Sequence, residues 1–189
     1  MPDMANVEKF SCWLESLSEF DYVINCAGIV RDNILGKIKT SDIIETVNIN
    51  LVSNVLILNK FLPIMLNRQF GRLIIMGSIV GESGNVGQAV YSSSKSALVG
   101  LVRTAVREIN LYTLRSKAAN VTVNLLEPGF VKSNMTDRVP EKILDRILSR
   151  KPNQSLLEAS AIADTVIDLL RAESPFNGAV LRANGGLSL

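Results

Sequence analysis

The 189-residue sequence contains no histidine. That absence removes Ser–His and Cys–His nucleophilic pairs and most zinc sites at once. Its only cysteines, Cys12 and Cys26, are too few and too far apart for a disulfide framework or a zinc site. A reducing interior is therefore expected, and no metal site. Charge of one sign is also lacking: the formal net charge is +2, mixed along the chain, which is not the footprint of a nucleic-acid or polybasic membrane binder. No apolar run approaches the length of a membrane span. The opening MPDMANVEKF carries acidic residues and no h-region, the pattern of neither a signal nor a transit peptide. Internal repeats, low-complexity tracts and linkers are missing too. What is present is 47% apolar residues, ample for a buried core, in a length that predicts one domain over 1–189.

The chain is organised around Leu73 to Val106. Leu73-Ile74-Ile75-Met76 has the length and β-branched content of a buried parallel strand. Gly77 and Ser78 end it, and a loop with Gly81, Gly84 and Gly87 follows. Helical periodicity then places Ala97, Leu98, Leu101, Val102, Ala105 and Val106 on one face. Tyr91 and Lys95 head that helix at i, i+4, a spacing that stacks both side chains on one face. A hydroxyl at a strand end, a phenol and an ammonium can thus converge beside the carboxyl end of a sheet, where α/β folds bind ligands. A phenol titrates near pH ~10 and is a reluctant acid, but an adjacent cation lowers that value. Tyr91 beside Lys95 can then exchange a proton with a carbonyl or alcohol oxygen that Ser78 orients. Taken alone, a Tyr-x-x-x-Lys pair reads far more readily as two surface residues of a helix; the strand, serine and glycine-rich loop before it shift the balance.

The remaining chain reads as alternating helices and strands. Residues 5–18 form an amphipathic helix, with Val7, Phe10, Trp13, Leu14 and Leu17 on one face. Strands are predicted near 21–25, 72–77, 121–126 and 179–183, and a mostly helical segment over 41–66, capped by Thr40 or Ser41. Cys26-Ala27-Gly28 is a small-residue turn that lets a ligand approach the backbone, and Asn25 before it reads equally as a turn former. Asn50 lies inside the apolar stretch Val47 to Leu58, where a helix-interior Asn is unfavourable unless exposed or used. Pro128-Gly129 reads as a turn after the 121–126 strand. A short charged helix is predicted from Arg138 to Ser149, and Ser155-x-x-Glu158 makes a capping box for a helix carrying Ile162, Val166, Leu169 and Leu170.

These residues carry a resemblance. Gly77-Ser78 followed by Tyr91-x-x-x-Lys95 resembles the active-site segment of the short-chain dehydrogenase/reductase family. Asn25-Cys26-Ala27-Gly28 resembles its N-N-A-G motif, Asn50-Leu51 the Asn of its catalytic tetrad, Pro128-Gly129 its P-G motif and Asn184-Gly185-Gly186 its terminal glycine pair, all in the family's order. Gly28-Ile29-x-Arg31-Asp32-Asn33, Gly87-Gln88-Ala89-x-Tyr91 and Pro128-Gly129-Phe130-Val131-x-x-x-Met135-Thr136 are similar to the 3-oxoacyl-acyl-carrier-protein reductases and related mitochondrial carbonyl reductases. Glu127 departs from the small residue usual before that P-G pair. The resemblance spans roughly residues 20 to 189.

The resemblance implies a doubly wound, Rossmann-like α/β sheet with helices on both faces, and NADPH-dependent reduction of a 3-oxoacyl thioester. In that reading Tyr91 donates the proton and Ser78 orients the carbonyl. Lys95 lowers the Tyr91 pKa and grips the nicotinamide ribose. Asn50 distorts its helix and holds a water that feeds protons toward Lys95. Asn25, Ala27, Gly28, Pro128, Gly129 and Val131 would contact the cofactor alongside Tyr91 and Lys95. Alternatives are a carbonyl or quinone reductase acting on small molecules, or a catalytically inactive partner subunit. The implied location is intracellular, cytoplasmic or mitochondrial. The implied assembly is a tetramer through helices 51–66 and 91–111; Val55, Leu58, Leu62, Leu98, Leu101 and Val102 cover more than one helical stripe, so these faces are not all expected to be buried within one subunit. No strand–glycine–helix unit precedes Asn25, and the family's T-G-x-x-x-G-I-G is absent. At about 30 residues per βαβ unit, the first βαβαβ half is expected to be missing, and with it the residues that choose NAD or NADP.

Overall fold

The run from Leu73 to Met76 is the middle of the sheet. In the computed structural model, which describes residues 2–187, it belongs to β2 (Phe70–Met76). That strand pairs in parallel with β1 (Tyr22–Asn25) on one side and β3 (Asn120–Pro128) on the other. The fourth strand, β4 (Val180–Ala183), pairs with the end of β3, so the order among the described residues is β1-β2-β3-β4, all parallel. The register sets Asn25 beside Ile75, Met76 beside Leu126 and Pro128 beside Ala183. The strand ends that carry the motifs therefore lie together at the carboxyl end of the sheet, as expected of a Rossmann-like fold.

Alternation along the strands divides the core between two faces. Leu73, Ile75, Val121, Val123 and Leu125 pack against α1 (Val7–Glu15), α3 (Ser53–Arg68) and α5 (Ala89–Arg115). Ile74 and Leu126 turn to the other face and meet Ile162 and Leu169 of α7 (Ala159–Leu170). Parallel strands covered on both faces read as continuous apolar runs, which is why β2 and β3 were legible.

Three expectations of local structure are corrected. Thr40 and Ser41 do not cap α2 (Thr40–Val47); Lys39 holds the cap position and no side chain caps it. The Ser155–Glu158 box does not form, because α7 starts at Ala159 with Glu158 at the cap. Leu157 is drawn instead into extended pairing with Val131 and hydrogen-bonds Phe130 and Lys132, which keeps 155–158 out of the helix. The helix expected from Arg138 is shorter: a 3-10 turn spans Thr136–Arg138 and α6 covers Glu141–Leu148. Pro140 divides the two by holding Val139 extended. Of the apolar residues on these two helices, Leu58, Leu62, Leu98 and Val102 are buried within the chain, whereas Val55 is exposed and Leu101 half-buried, so the faces are not all buried in one subunit, as expected.

Between α2 and α3 the chain takes a π-helical turn, Asn48–Val52, with Asn50 at its centre. The helical stretch Thr40–Arg68 is, contrary to expectation, long and apolar enough to cross a membrane. Its burial gives the helix another role. Ile57, Phe61 and Met65 are buried against the sheet, so it is a core element.

Candidate active site

Each side chain in the site is placed by the end of a strand or the head of a helix. Gly77 follows β2, and its N–H donates to Leu126 O at 2.7 Å. A Cβ there would come within 2.9 Å of Glu127 Cγ, so glycine lets the two strand ends close. Ser78 comes next and is buried. Its Oγ accepts from Val80 N at 3.3 Å, at the start of the short helix α4 (Val80–Ser83). Across the Gly84 and Gly87 loop, α5 begins at Ala89 and carries Tyr91 in its first turn. One turn later Lys95 is only 3% exposed, and its Nζ donates to Met76 O at 2.7 Å. The ammonium lies 5.9 Å from the Tyr91 ring centroid.

The electrostatics differ from the expectation in one respect. Burial pushes the Tyr91 phenol above its ordinary value, the Ser78 hydroxyl opposes that shift and Asp32 adds to it. The expected net lowering by Lys95 is not what results. Burial also pushes Lys95 down, to about 8, with Cys26 opposing. The phenol is therefore held neutral, with its proton on, throughout the neutral range. A buried cation beside it remains mostly charged at pH 7.

Asn50 is fully buried, which removes the reading of an exposed helix position. Its side chain engages both backbone groups of Ile29 in the Gly28–Asn33 loop: Oδ1 accepts from Ile29 N at 2.9 Å and Nδ2 donates to Ile29 O at 3.0 Å. The same Nδ2 reaches Ser94 Oγ on α5 at 3.1 Å. The π-helical turn widens the helix where this occurs, and Asn54 Nδ2 donates to the Asn50 carbonyl at 2.9 Å. Asn54 Oδ1 in turn accepts from Asn25 Nδ2 at 2.8 Å, and Asn25 Oδ1 accepts from Ala27 N at 3.1 Å. One network thus joins the end of β1, the π turn and α5.

Gly28 lies over this network. A Cβ on it would sit 3.3 Å from Lys95 Nζ and 3.5 Å from Asn50 Oδ1, so bare backbone faces the ammonium. The loop beyond is docked on the segment before α5. Asn33 N donates to Gly87 O at 2.9 Å, Gln88 Nε2 reaches Asp32 Oδ1 at 3.1 Å, and Arg31 Nε meets Glu45 at 2.8 Å. Pro128 touches the Ser78 turn through Ile79 N, and Gly129 N donates to Ala183 O at 3.0 Å. A Cβ on Gly129 would lie 2.9 Å from Asn184 Cα, so the P-G loop runs tight against the terminal glycine motif.

Asn25, Ala27, Gly28, Asn50, Ser78, Tyr91 and Lys95 therefore share one region, and Pro128 and Gly129 border it. Val131 does not join the network; it pairs with Leu157 and packs with the α7-side cluster. Sequence reasoning passed over Asn54 and Ser94, both buried and both in the network. Two asparagines at i, i+4 in an apolar helix were the available signal for Asn54.

The chain is similar to known proteins over most of its length. Residues 2–144 match the family model for short chain dehydrogenase. Carbonyl reductase family member 4 of Xenopus laevis is 35% identical over 99% of this chain and 76% of that protein. The 3-oxoacyl-[acyl-carrier-protein] reductase FabG of Rickettsia bellii is 31% identical over 98% of this chain and 74% of its own length. The 3-oxoacyl-[acyl-carrier-protein] reductase of Bos taurus is 35% identical, covering 93% of this chain and 69% of that protein.

Proposed function

The chain belongs to the short-chain dehydrogenase/reductase family, and from that premise we propose that it reduces a 3-oxoacyl thioester at the expense of NADPH, with Tyr91 as the proton donor. Membership makes it an oxidoreductase acting on carbonyl and hydroxyl groups. The observation that carries the finer reading is the meeting of Ser78, a neutral Tyr91 and the buried Lys95 at one sheet edge.

The residues present fit the nicotinamide end of a dinucleotide. Gly28 offers bare backbone beside Lys95 and Asn50, and a buried ammonium with spare donors suits ribose hydroxyls. Asn25, Ala27, Gly28, Tyr91, Lys95, Pro128, Gly129 and Val131 are the residues proposed to hold it. When bound, the nicotinamide supplies hydride to the carbonyl carbon. The chain's own groups handle the oxygen. Ser78 Oγ–H donates to it and fixes its direction. Tyr91 Oη gives up its proton as negative charge develops there. Lys95, charged nearby, stabilises the phenolate that remains. Asn50 keeps the Ile29 backbone and Ser94 in register, so the floor of the site does not shift during the transfer.

The 3-oxoacyl substrate rests on likeness to the Rickettsia bellii and Bos taurus reductases, and NADPH on the family resemblance of the motifs. The Xenopus laevis protein's name favours a second reading, a carbonyl reductase acting on small molecules. In both readings 1–189 acts as one domain, intracellular in the cytoplasm or mitochondria, and assembles as an oligomer, a tetramer in the family's manner. Purified chain is assayed with an acetoacetyl thioester and with a quinone, each with NADPH and with NADH. Thioester turnover with NADPH at least tenfold above the other three combinations supports the first reading. Quinone turnover alone moves the function to the second. No turnover with any pair refutes both.

A further inference from the structure

A buried carboxylate lies directly behind the candidate site. Glu127 is 2% exposed near the end of β3. Its Cγ occupies the space that a side chain on Gly77 would need, one residue before Ser78. Arg182 is its register partner on β4. The Arg182 guanidinium pairs with Glu82, on α4. Arg182 thus stands between two carboxylates, one on the strand and one on the short helix. The three side chains line a cavity of about 590 Å³ together with Gly81, Ser96 and Arg103.

What α4 carries gives this cluster its importance. A helix of one turn cannot sustain itself, because nucleation is unfavourable. Its position follows from what it is tied to. At one end, Val80 N and Gly81 N donate to Ser78, at 3.3 and 2.9 Å. On the α5 side, Ser92 Oγ donates to Val80 O at 2.9 Å, and a Cβ on Gly81 would lie 3.0 Å from Ser96 N and 3.1 Å from Lys95 C. On the sheet side the tie is Glu82 to Arg182. That pair is about half exposed, so it adds little to global stability; its effect is local. Beside it, burial pushes the Glu127 carboxyl up, Glu82 adds to the shift and Arg182 opposes it.

We infer that Arg182 is a positioning residue: by holding Glu82 of α4 against β4 and facing Glu127 of β3, it fixes where Ser78 sits relative to Tyr91. Its neighbours in sequence make it suited to this. Ala183, the next residue, accepts from Gly129 N, so one short strand anchors both the Ser78 turn and the P-G loop. The inference rests on the proposed role of Ser78, and its test separates the two.

Arg182→Gln, Arg182→Lys and Glu82→Gln are made in the full chain, and amide hydrogen exchange is followed in α4 and β2. Both Gln variants are expected to speed exchange at Gly81, Ser83 and Gly84 at least tenfold, with β2 protection unchanged and Arg182→Lys within threefold of the parent. Unchanged α4 exchange in both Gln variants overturns the inference. Loss of β2 protection as well would make Arg182 a general structural residue and also overturns it. In the reductase assay, Arg182→Gln is expected to lower kcat about tenfold, with cofactor KM within twofold and recovery in Arg182→Lys. Loosened α4 with unchanged kcat overturns the link to Ser78. If the parent chain shows no Tyr91-dependent reduction, the functional reading fails while the exchange data still decide whether Arg182 pins α4.

Discussion

Replacing Asn50 with Ala removes the centre of the network. Three side-chain hydrogen bonds are lost, two to the Ile29 backbone N–H and C=O and one to Ser94 Oγ. A neutral hydrogen bond contributes about 0.5–1.5 kcal/mol net, so three give a central figure of roughly 3 kcal/mol. Two corrections lower it. Ile29 is only half buried, so water can reach part of its freed backbone, and Ala gains up to about 0.7 kcal/mol of helix propensity over Asn. The net expectation is a loss of about 2 kcal/mol. For a domain of this size each kcal/mol moves Tm by about 2–4 °C, so the midpoint is expected to fall by about 4–8 °C. Urea unfolding with an unchanged slope reads the free energy, and calorimetry reads the midpoint. Asn54→Ala loses the bonds to Asn25 and to the Asn50 carbonyl. Because both belong to one network, the double variant is expected to lose less than the sum. A loss under about 0.5 kcal/mol in Asn50→Ala, or strict additivity of the pair, would refute the hold on Ile29.

Other expectations follow from single contacts. Lys95 is held down to about 8, so kcat/KM for reduction is expected to fall above about pH 8 as the free enzyme loses this cation. Lys95→Arg, which stays charged, should abolish that limb even if it turns over slowly; a limb that persists would assign it to another group. The same depression has a sign for stability. The folded state releases the proton before the unfolded chain does, so stability rises as pH passes from about 8 toward the unfolded value. This rise should vanish in Lys95→Met. Gly71→Ala would put a methyl group onto the buried Met65 side chain. Such overpacking is expected to cost about 1–3 kcal/mol in urea unfolding, and a neutral result would show that Met65 moves freely.

The parts legible in the sequence were those with a single local cause. Leu73-Ile74-Ile75 is buried on both faces and reads as one apolar run. Tyr91 and Lys95 meet because one helical turn separates them, and no tertiary information is needed. What escaped depended on contacts distant in sequence. Ser155 and Glu158 have the right spacing for a cap, but the pairing of Leu157 with Val131 wins the backbone. Glu127 is a carboxylate, a type that is mostly exposed, and only the fold shows it behind Gly77. Asn50 was singled out through the resemblance; its hold on Ile29, and the part of Asn54, came from the π turn, which no periodicity announces. The direction of the Tyr91 shift was missed for a related reason. Proximity to Lys95 could be read from spacing, whereas the depth of burial could not.

The central claim is that Tyr91 gives its proton to the substrate oxygen. Tyr91→Phe keeps the ring and removes only the donor. Steady-state reduction of the preferred carbonyl substrate, beside far-UV circular dichroism and nicotinamide fluorescence on the same preparation, tests it directly. The account predicts a fall in kcat by a factor of about 10²–10⁴, with the fold retained and cofactor affinity within a few-fold of the parent. Turnover at the parent rate in a folded, cofactor-binding Tyr91→Phe chain would contradict it.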